Sequence, residues 1–375
     1  MQVNNGIWFR SLTSRGLAAW VLALILTGFY CLLYWFPGSL GLGAKGSPNT
    51  GLIAAFDPLS RYMNGRPASQ WFVYGTLYTI AIFMFGVRFI LKYRDNRYQV
   101  YRTISVIFFQ LVFAWLLPEI LQSLNKPYFD FKNIWPLNYH FFMDWNLEAM
   151  SQAGTLGLFM LVWGILSFAV FTPVLTWFFG KRWYCSWVCG CGGLAETAGD
   201  PFRHLSDKSD KSWKAERWII HSVLVFVVLM TLAVLVTRFT GIRNILLIDS
   251  GTLSAWYGFL IGAAFSGVVG VGFYPIFGSR VWCRFGCPMA AYLGILQTST
   301  IKWPWSDKPA RLSKFRITTN GGQCISCGNC STYCEMGIDV KSYAQQKQDI
   351  IRASCVGCGI CSAVCPRGVL RLENL

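Results

Sequence analysis

A polytopic α-helical membrane protein with about six spanning helices and a C-terminal α+β domain is the fold class this sequence predicts. Three observations carry that expectation. Charged residues are only 13% of the 375 and hydrophobic ones are 54%, where ordinary soluble domains are about a quarter charged. Apolar runs recur six times, each able to supply the roughly 20 residues, about 30 Å of helix, that a bilayer core requires. Past the last of them, eight of the 14 cysteines crowd into residues 324–365 in a pattern written twice.

The first run follows Arg10 and Arg15 and extends from Leu17 to Phe36. It is long for a secretory leader and no small-x-small cleavage site follows it, so it reads as a retained membrane helix. Further spans are expected at about 71–91, 101–121, 155–179, 218–237 and 255–277. The third contains Leu117-Pro118-Glu119, which should break or kink it. The sixth carries Gly258, Gly262, Gly267, Gly270 and Gly272, the small-residue composition of close helix packing. Residues 1–300 therefore form a membrane helical domain, 301–323 a linker with Pro304, Pro309, Gly321 and Gly322, and 324–375 the cysteine-rich domain.

Charge sets the expected topology. The loop after the second span carries Lys92, Arg94, Arg97 and Arg102, and the loop after the fourth carries Lys181, Arg182, Arg203, Lys208, Lys211, Lys214 and Arg217. The stretch 122–154 on the other side has only Lys126 and Lys132. Excess Lys and Arg on one set of loops places both termini and the cysteines in the cytoplasm, as in a bacterial inner membrane. The formal charge of +16 follows from this topology, and no nucleic-acid motif accompanies it. The aromatics of 122–154, among them Tyr128, Phe129, Phe131, Trp135, Tyr139, Phe141, Phe142 and Trp145, are expected at the headgroup level as a belt.

The cysteine runs read Cys324-x-x-Cys327-x-x-Cys330-x-x-x-Cys334 and Cys355-x-x-Cys358-x-x-Cys361-x-x-x-Cys365-Pro366. This is the bacterial 2[4Fe–4S] ferredoxin spacing, in which three thiolates of one run wrap a cube and the fourth reaches the other. Cys324, Cys327, Cys330 and Cys365 are expected on one [4Fe–4S] cluster, and Cys355, Cys358, Cys361 and Cys334 on the second. Structural zinc takes two separated pairs, and a disulfide framework needs an oxidising compartment, so neither accounts for the spacing. One mismatch stands out: Glu335 occupies the place that Pro366 takes in the second run.

Two more cysteine groups follow spans four and six: Cys185, Cys189 and Cys191 in the first, Cys283 and Cys287 in the second. Three intervening residues put Cys185/Cys189 and Cys283/Cys287 each on one face of a helical turn. Arg182, Arg280 and Arg284 flank them. Three roles are open to these five residues: a third Fe–S cluster or metal site, a redox dithiol stabilised by the arginines, or inert helix packing. No dinucleotide fingerprint or phosphate loop of useful quality is present, so NAD and ATP chemistry find no support.

Through these paired motifs, the spans between them and the double ferredoxin run, residues 155–375 resemble the membrane-bound polyferredoxins of the NapH/NosR type, which include the FixG/CcoG-like proteins. The family's first motif ends in Cys-Pro, whereas Gly190 and an additional Cys191 follow Cys189 here. The resemblance implies an electron-transfer subunit between the quinone/quinol pool and a protein redox partner, in contact with lipid, within a multi-subunit complex such as a quinol dehydrogenase. It also admits a maturation factor that reduces a metal ion or disulfide for another metalloenzyme. An Fe–S scaffold or sensor subunit is the non-catalytic alternative.

Overall fold

A computed structural model describes residues 7–44, 47–241, 244–245, 248–301, 310–320 and 324–374. Six of its helices are long and apolar enough to cross a membrane: α1 (Leu17–Trp35), α2 (Gln70–Lys92), α3 (Arg97–Ser123), α4 (Thr155–Phe179), α5 (Asp210–Thr240) and α6 (Ser250–Gly272). The chain is thus a multi-pass membrane protein. Lipid supplies no hydrogen-bond partners, so each span satisfies its own backbone.

The expected break at Pro118 does not occur; the helix widens instead. Residues Phe109–Leu116 form π-helical turns, and the Leu117 N–H bonds to the Val112 carbonyl five residues back. Proline then sits near the start of a regular helical stretch, where its missing N–H is tolerated. The glycines of α6 serve close packing, as expected: a Cβ on Gly267 would fall 2.0 Å from the Tyr30 ring of α1.

The spans alternate in direction, so both ends of the chain gather at one end of the bundle, here called the cluster end. Arg15 reaches the Leu205 and Ile276 carbonyls there, each at 2.8 Å. Of the 301–323 stretch expected to be linker, 302–309 and 321–323 lie outside the described residues, but Phe315–Thr319 is a strand. It pairs antiparallel with Leu370–Asn374, from Phe315 opposite Asn374 to Thr319 opposite Leu370. The cysteine-rich domain thus draws half its sheet from residues ahead of its first cysteine.

That domain is sunk into the bundle rather than tethered to it. Tyr98 and Gln99 of α3 donate to the Gly357 and Cys358 carbonyls at 2.8 and 2.9 Å, Ser186 to Val356 at 2.9 Å, and Gln297 to Arg352 at 2.9 Å. Glu335, the mismatch noted between the two cysteine runs, is fully buried beneath it. Its carboxylate accepts from Arg203 Nη1 at 2.7 Å and Arg280 Nε at 2.9 Å. Arg280 and Arg102 both also contact Glu196, and Arg203 reaches Asp200 at 2.8 Å. A proline here, as at Pro366, would leave two buried guanidiniums short of charge.

The stretch between α3 and α4 departs from the expected belt. Trp145 is exposed, but Phe129, Ile134, Phe141 and Met143 are buried in the protein. The segment turns back into the bundle, where Tyr184 donates to the Lys132 carbonyl at 2.9 Å and Trp135 Nε1 to Thr231 of α5 at 3.1 Å. Irregular backbone at that depth requires such protein partners.

Removing one member of a buried ion pair costs about 3–5 kcal/mol because the other charge is left unmatched. Glu335→Ala is therefore expected to destabilise the protein by about that amount and to expose the cysteine domain to trypsin. Thermal unfolding and limited proteolysis in detergent measure this, and an unchanged cleavage pattern would contradict the docking role of Glu335.

Candidate metal centres

The two ferredoxin runs build two small cavities, each lined by four cysteines. Cys324, Cys327, Cys330 and Cys365 line one; Cys334, Cys355, Cys358 and Cys361 line the other. Each cavity thus takes three cysteines from one run and the fourth from the other. Gly328 and Gly359 follow the second cysteine of each run with φ of +78° and +76°, a left-handed turn that glycine enters without steric cost. Each starts a short helix that carries the third cysteine, Cys330 or Cys361.

The two cavities differ in surroundings. The Cys355–Cys361 loop lies against the bundle, while Cys327 is exposed and Ile325 beside it is 56% exposed. One centre is thus proximal to the membrane domain and the other distal. Burial pushes the Cys358 thiol up to about 12 and Cys334 up to about 11. Bare thiols in the proximal cavity hold their protons at neutral pH, so a metal must displace them.

The second constellation also converges. Cys185 ends the helix Arg182–Cys185, and Cys189 precedes the helix Gly190–Thr197. In the other half, Cys283 lies in the turn Trp282–Gly286 and Cys287 precedes the helix Pro288–Thr298. The two halves are equivalent, and Cys185, Cys189, Cys283 and Cys287 join one buried core together with Cys330, Cys355 and Cys361. The Cys287 thiol accepts from the Ala290 N–H at 3.4 Å at a helix N-terminus, but burial pushes it well above its usual range. Cys191 donates a hydrogen bond to Cys189, which holds the Cys189 thiol below its usual range against the opposing effect of burial, with Lys132 assisting.

The helix Gly190–Thr197 folds back between α2 and α3, and a Cβ on Gly190 would press on the end of the Gln110 side chain of α3, 2.5 Å from its Oε1. These thiols therefore sit deeper in the bundle than the span ends on which the sequence places them.

A single tetrahedral ion at about 2.3 Å from each sulfur would draw the thiolates to about 3.8 Å apart. Among the described residues no three of the cysteine sulfurs lie within 4.8 Å of one another. That does not match one tetrahedral ion. The tightest set of ligand-type atoms, from Glu196, Glu335 and Cys358, is no metal site, because Arg102, Arg203 and Arg280 already engage its carboxylates. Arg280 also links two centres: its Nη1 lies 3.6 Å from Cys283 Sγ, while its Nε holds Glu335 beside Cys334.

A cavity of about 750 Å3 opens within the bundle beside this third group. Cys189, Cys191 and Cys283 line one end, and Trp71, Tyr74, Tyr78, Trp115 and Tyr139 form much of its wall. A quinol would need a proton acceptor here, and of Glu119, His140, Asp144, Glu148, His204 and His221, which the sequence places near either face, only Glu119 lines it. Asp144 is exposed and pairs with Arg238 at 3.0 Å, and His140, Glu148, His204 and His221 are outside the lining. Asp130 and Lys132, which sequence reasoning missed, do face it. Their one signal was a pair of charges in an otherwise aromatic stretch.

Comparison with known proteins agrees with these centres. A 4Fe-4S dicluster domain model matches residues 323–370, and a 4Fe-4S binding domain model matches 161–209 and again 257–306. The chain is 25% identical over 172 residues to YccM of Escherichia coli (strain K12), a protein named for electron transport. That match covers 44% of this chain and 44% of YccM, so the chain spans less than half the length of this relative. No solved structure matches. The cysteine-rich domain carries two [4Fe–4S] clusters.

The crossed grouping predicts which signals single substitutions remove. Cys365→Ser should disturb the distal cluster and spare the proximal one, and Cys334→Ser should do the reverse; EPR of the reduced protein distinguishes them. Loss of the opposite signal in either variant would contradict the grouping.

Proposed function

Taking the chain as a membrane 4Fe–4S ferredoxin-type protein, we propose that it relays single electrons from a quinol held in the bundle cavity to a redox partner at the exposed end of the cysteine domain. The bundle cavity carries this function. Its size lies within the range of about 300–1,000 Å3 for small-molecule sites. Its aromatic wall suits a planar ring with an apolar tail, and thiols of the inter-helix group line its inner end.

The electron path follows the order of the centres. From the cavity it enters a third centre held by Cys185, Cys189, Cys283 and Cys287, with Cys191 beside it facing the cavity. It continues to the proximal group, Cys355, Cys358, Cys361 and Cys334, and then to the distal group, Cys324, Cys327, Cys330 and Cys365. Ser186 and Arg280 bridge the third centre and the proximal group: the Ser186 hydroxyl, one residue from Cys185, bonds the Val356 carbonyl, one residue from Cys355, and Arg280 lies between Cys283 and Glu335. The clusters supply the one-electron chemistry. The chain's residues exclude water, fix the spacing and offset the negative charge of thiolate-bound metal through Arg280 and Lys181.

The exposed Ile325 beside the distal group offers a partner its docking face, within a complex. Several basic residues used for topology, Arg102, Lys181 and Arg203, are buried and serve the interior. The remaining exposed ones, Arg94, Arg97, Lys211, Lys214 and Arg217, still favour the cytoplasmic side of a bacterial inner membrane for the cluster end.

Anaerobic mixing of the purified protein with a short-chain quinol should reduce the clusters, followed by visible bleaching and EPR. With a third cluster present, iron should total about twelve per chain rather than about eight, from four irons per cube. Cys185→Ser and Cys283→Ser should abolish reduction by quinol while dithionite still develops both ferredoxin signals. Unimpaired quinol reduction in both variants would remove the inter-helix group from the path.

A further inference from the structure

The cavity is polar in an uneven way. Only two of its lining residues are acidic, Glu119 and Asp130. Asp130 lies deep, paired with Lys132 at 3.6 Å, with its side chain 15% exposed. Lys132 in turn adjoins the inter-helix thiols: a Cβ on Gly190 would stand 3.4 Å from its Nζ. Glu119 lies near the opposite end of the bundle, buried, where Asn64 Nδ2 donates to its carboxylate at 2.6 Å. Arg66, at the rim beyond it, bonds Asn125 at 3.1 Å, and both are exposed.

Tyr128, 51% exposed, lines the same cavity as both acids. Toward the cluster end no comparable route exists among the described residues. The carboxylates there, Glu196, Asp200, Glu216 and Glu335, are paired with Arg102, Arg203, Arg280, Arg284 and Lys92. None of them lines the cavity.

We propose that protons released in the cavity leave through Asp130 and then Glu119 toward the end of the bundle opposite the clusters, so that electrons and protons part in opposite directions. This rests on the quinol assignment above and adds a second activity to it, charge separation across the membrane. The balance is that of hydroquinone oxidation: two O–H bonds break, two C=O bonds form, and two protons and two electrons depart. The electrons pass one at a time into the [4Fe–4S] clusters and on to a one-electron acceptor. The Asp130 carboxylate takes one proton, hands it by way of Tyr128 to Glu119, and is free to take the next. Burial raises the Asp130 carboxyl above its ordinary range, which suits it to take up a proton, and Lys132 at 3.6 Å opposes that shift.

The test uses the full-length, cluster-loaded protein in proteoliposomes with the cluster end outward, a membrane-permeant short-chain hydroquinone as donor and ferricyanide outside as acceptor. A pH dye trapped in the lumen reads where protons go. Acidification of the lumen, one proton per electron, is expected. Glu119→Gln and Asp130→Asn should slow turnover by about a hundredfold, within the usual worth of a positioned proton acceptor, and abolish lumen acidification. Quenching of tryptophan fluorescence by the bound quinone should persist in both variants. Glu119→Asp, which keeps a carboxyl, should restore acidification. Cluster reduction with all protons appearing outside overturns the route and leaves the quinol assignment standing. Absence of both quenching and cluster reduction in the unsubstituted protein overturns both.

Discussion

A single buried carboxylate, Glu335, holds the two parts of this protein together. Fully desolvated, it is tolerable only because Arg203 and Arg280 meet it at 2.7 and 2.9 Å. Those guanidiniums are in turn tolerable only because Glu335, Glu196 and Asp200 surround them. The constraint is mutual, as the cost of an unmatched buried charge requires. Four distant stretches of chain, around residues 100, 200, 280 and 335, must therefore meet at one point.

That meeting point sets the spacing of the cysteine groups. Cys334 adjoins Glu335, Cys283 lies within reach of Arg280, and Cys185 offers Arg280 its carbonyl at 3.3 Å. An ion network chosen for docking thus also places positive charge between two thiol-rich centres, where each would otherwise repel the other. Burial of metal-binding thiols with fixed cations nearby is one of the main levers on cluster potential.

Re-entrant backbone is the second theme. The helix Gly190–Thr197 and the stretch around Lys132 and Ile134 both fold back into the bundle and meet beside Cys189. Neither could lie against lipid, and both are sheathed by other helices. Their return leaves room for the cavity and brings two charged groups, Asp130 and Lys132, to its lining.

Much of this was legible in the residues alone. Six spans follow from apolar runs, because a bilayer imposes one length on every crossing segment. The crossed grouping of eight cysteines follows from intervals of two, two and three, because a loop that short has few ways to wrap a cube. These are local rules, and local sequence carries them. The partners of Glu335, the inward turn of an aromatic stretch expected at the membrane surface and the cavity beside it were not legible. Each depends on residues tens to hundreds of positions apart whose encounter is decided by packing. An isolated Glu335 reads only as a missing proline. It becomes a docking residue once the fold brings two arginines to it.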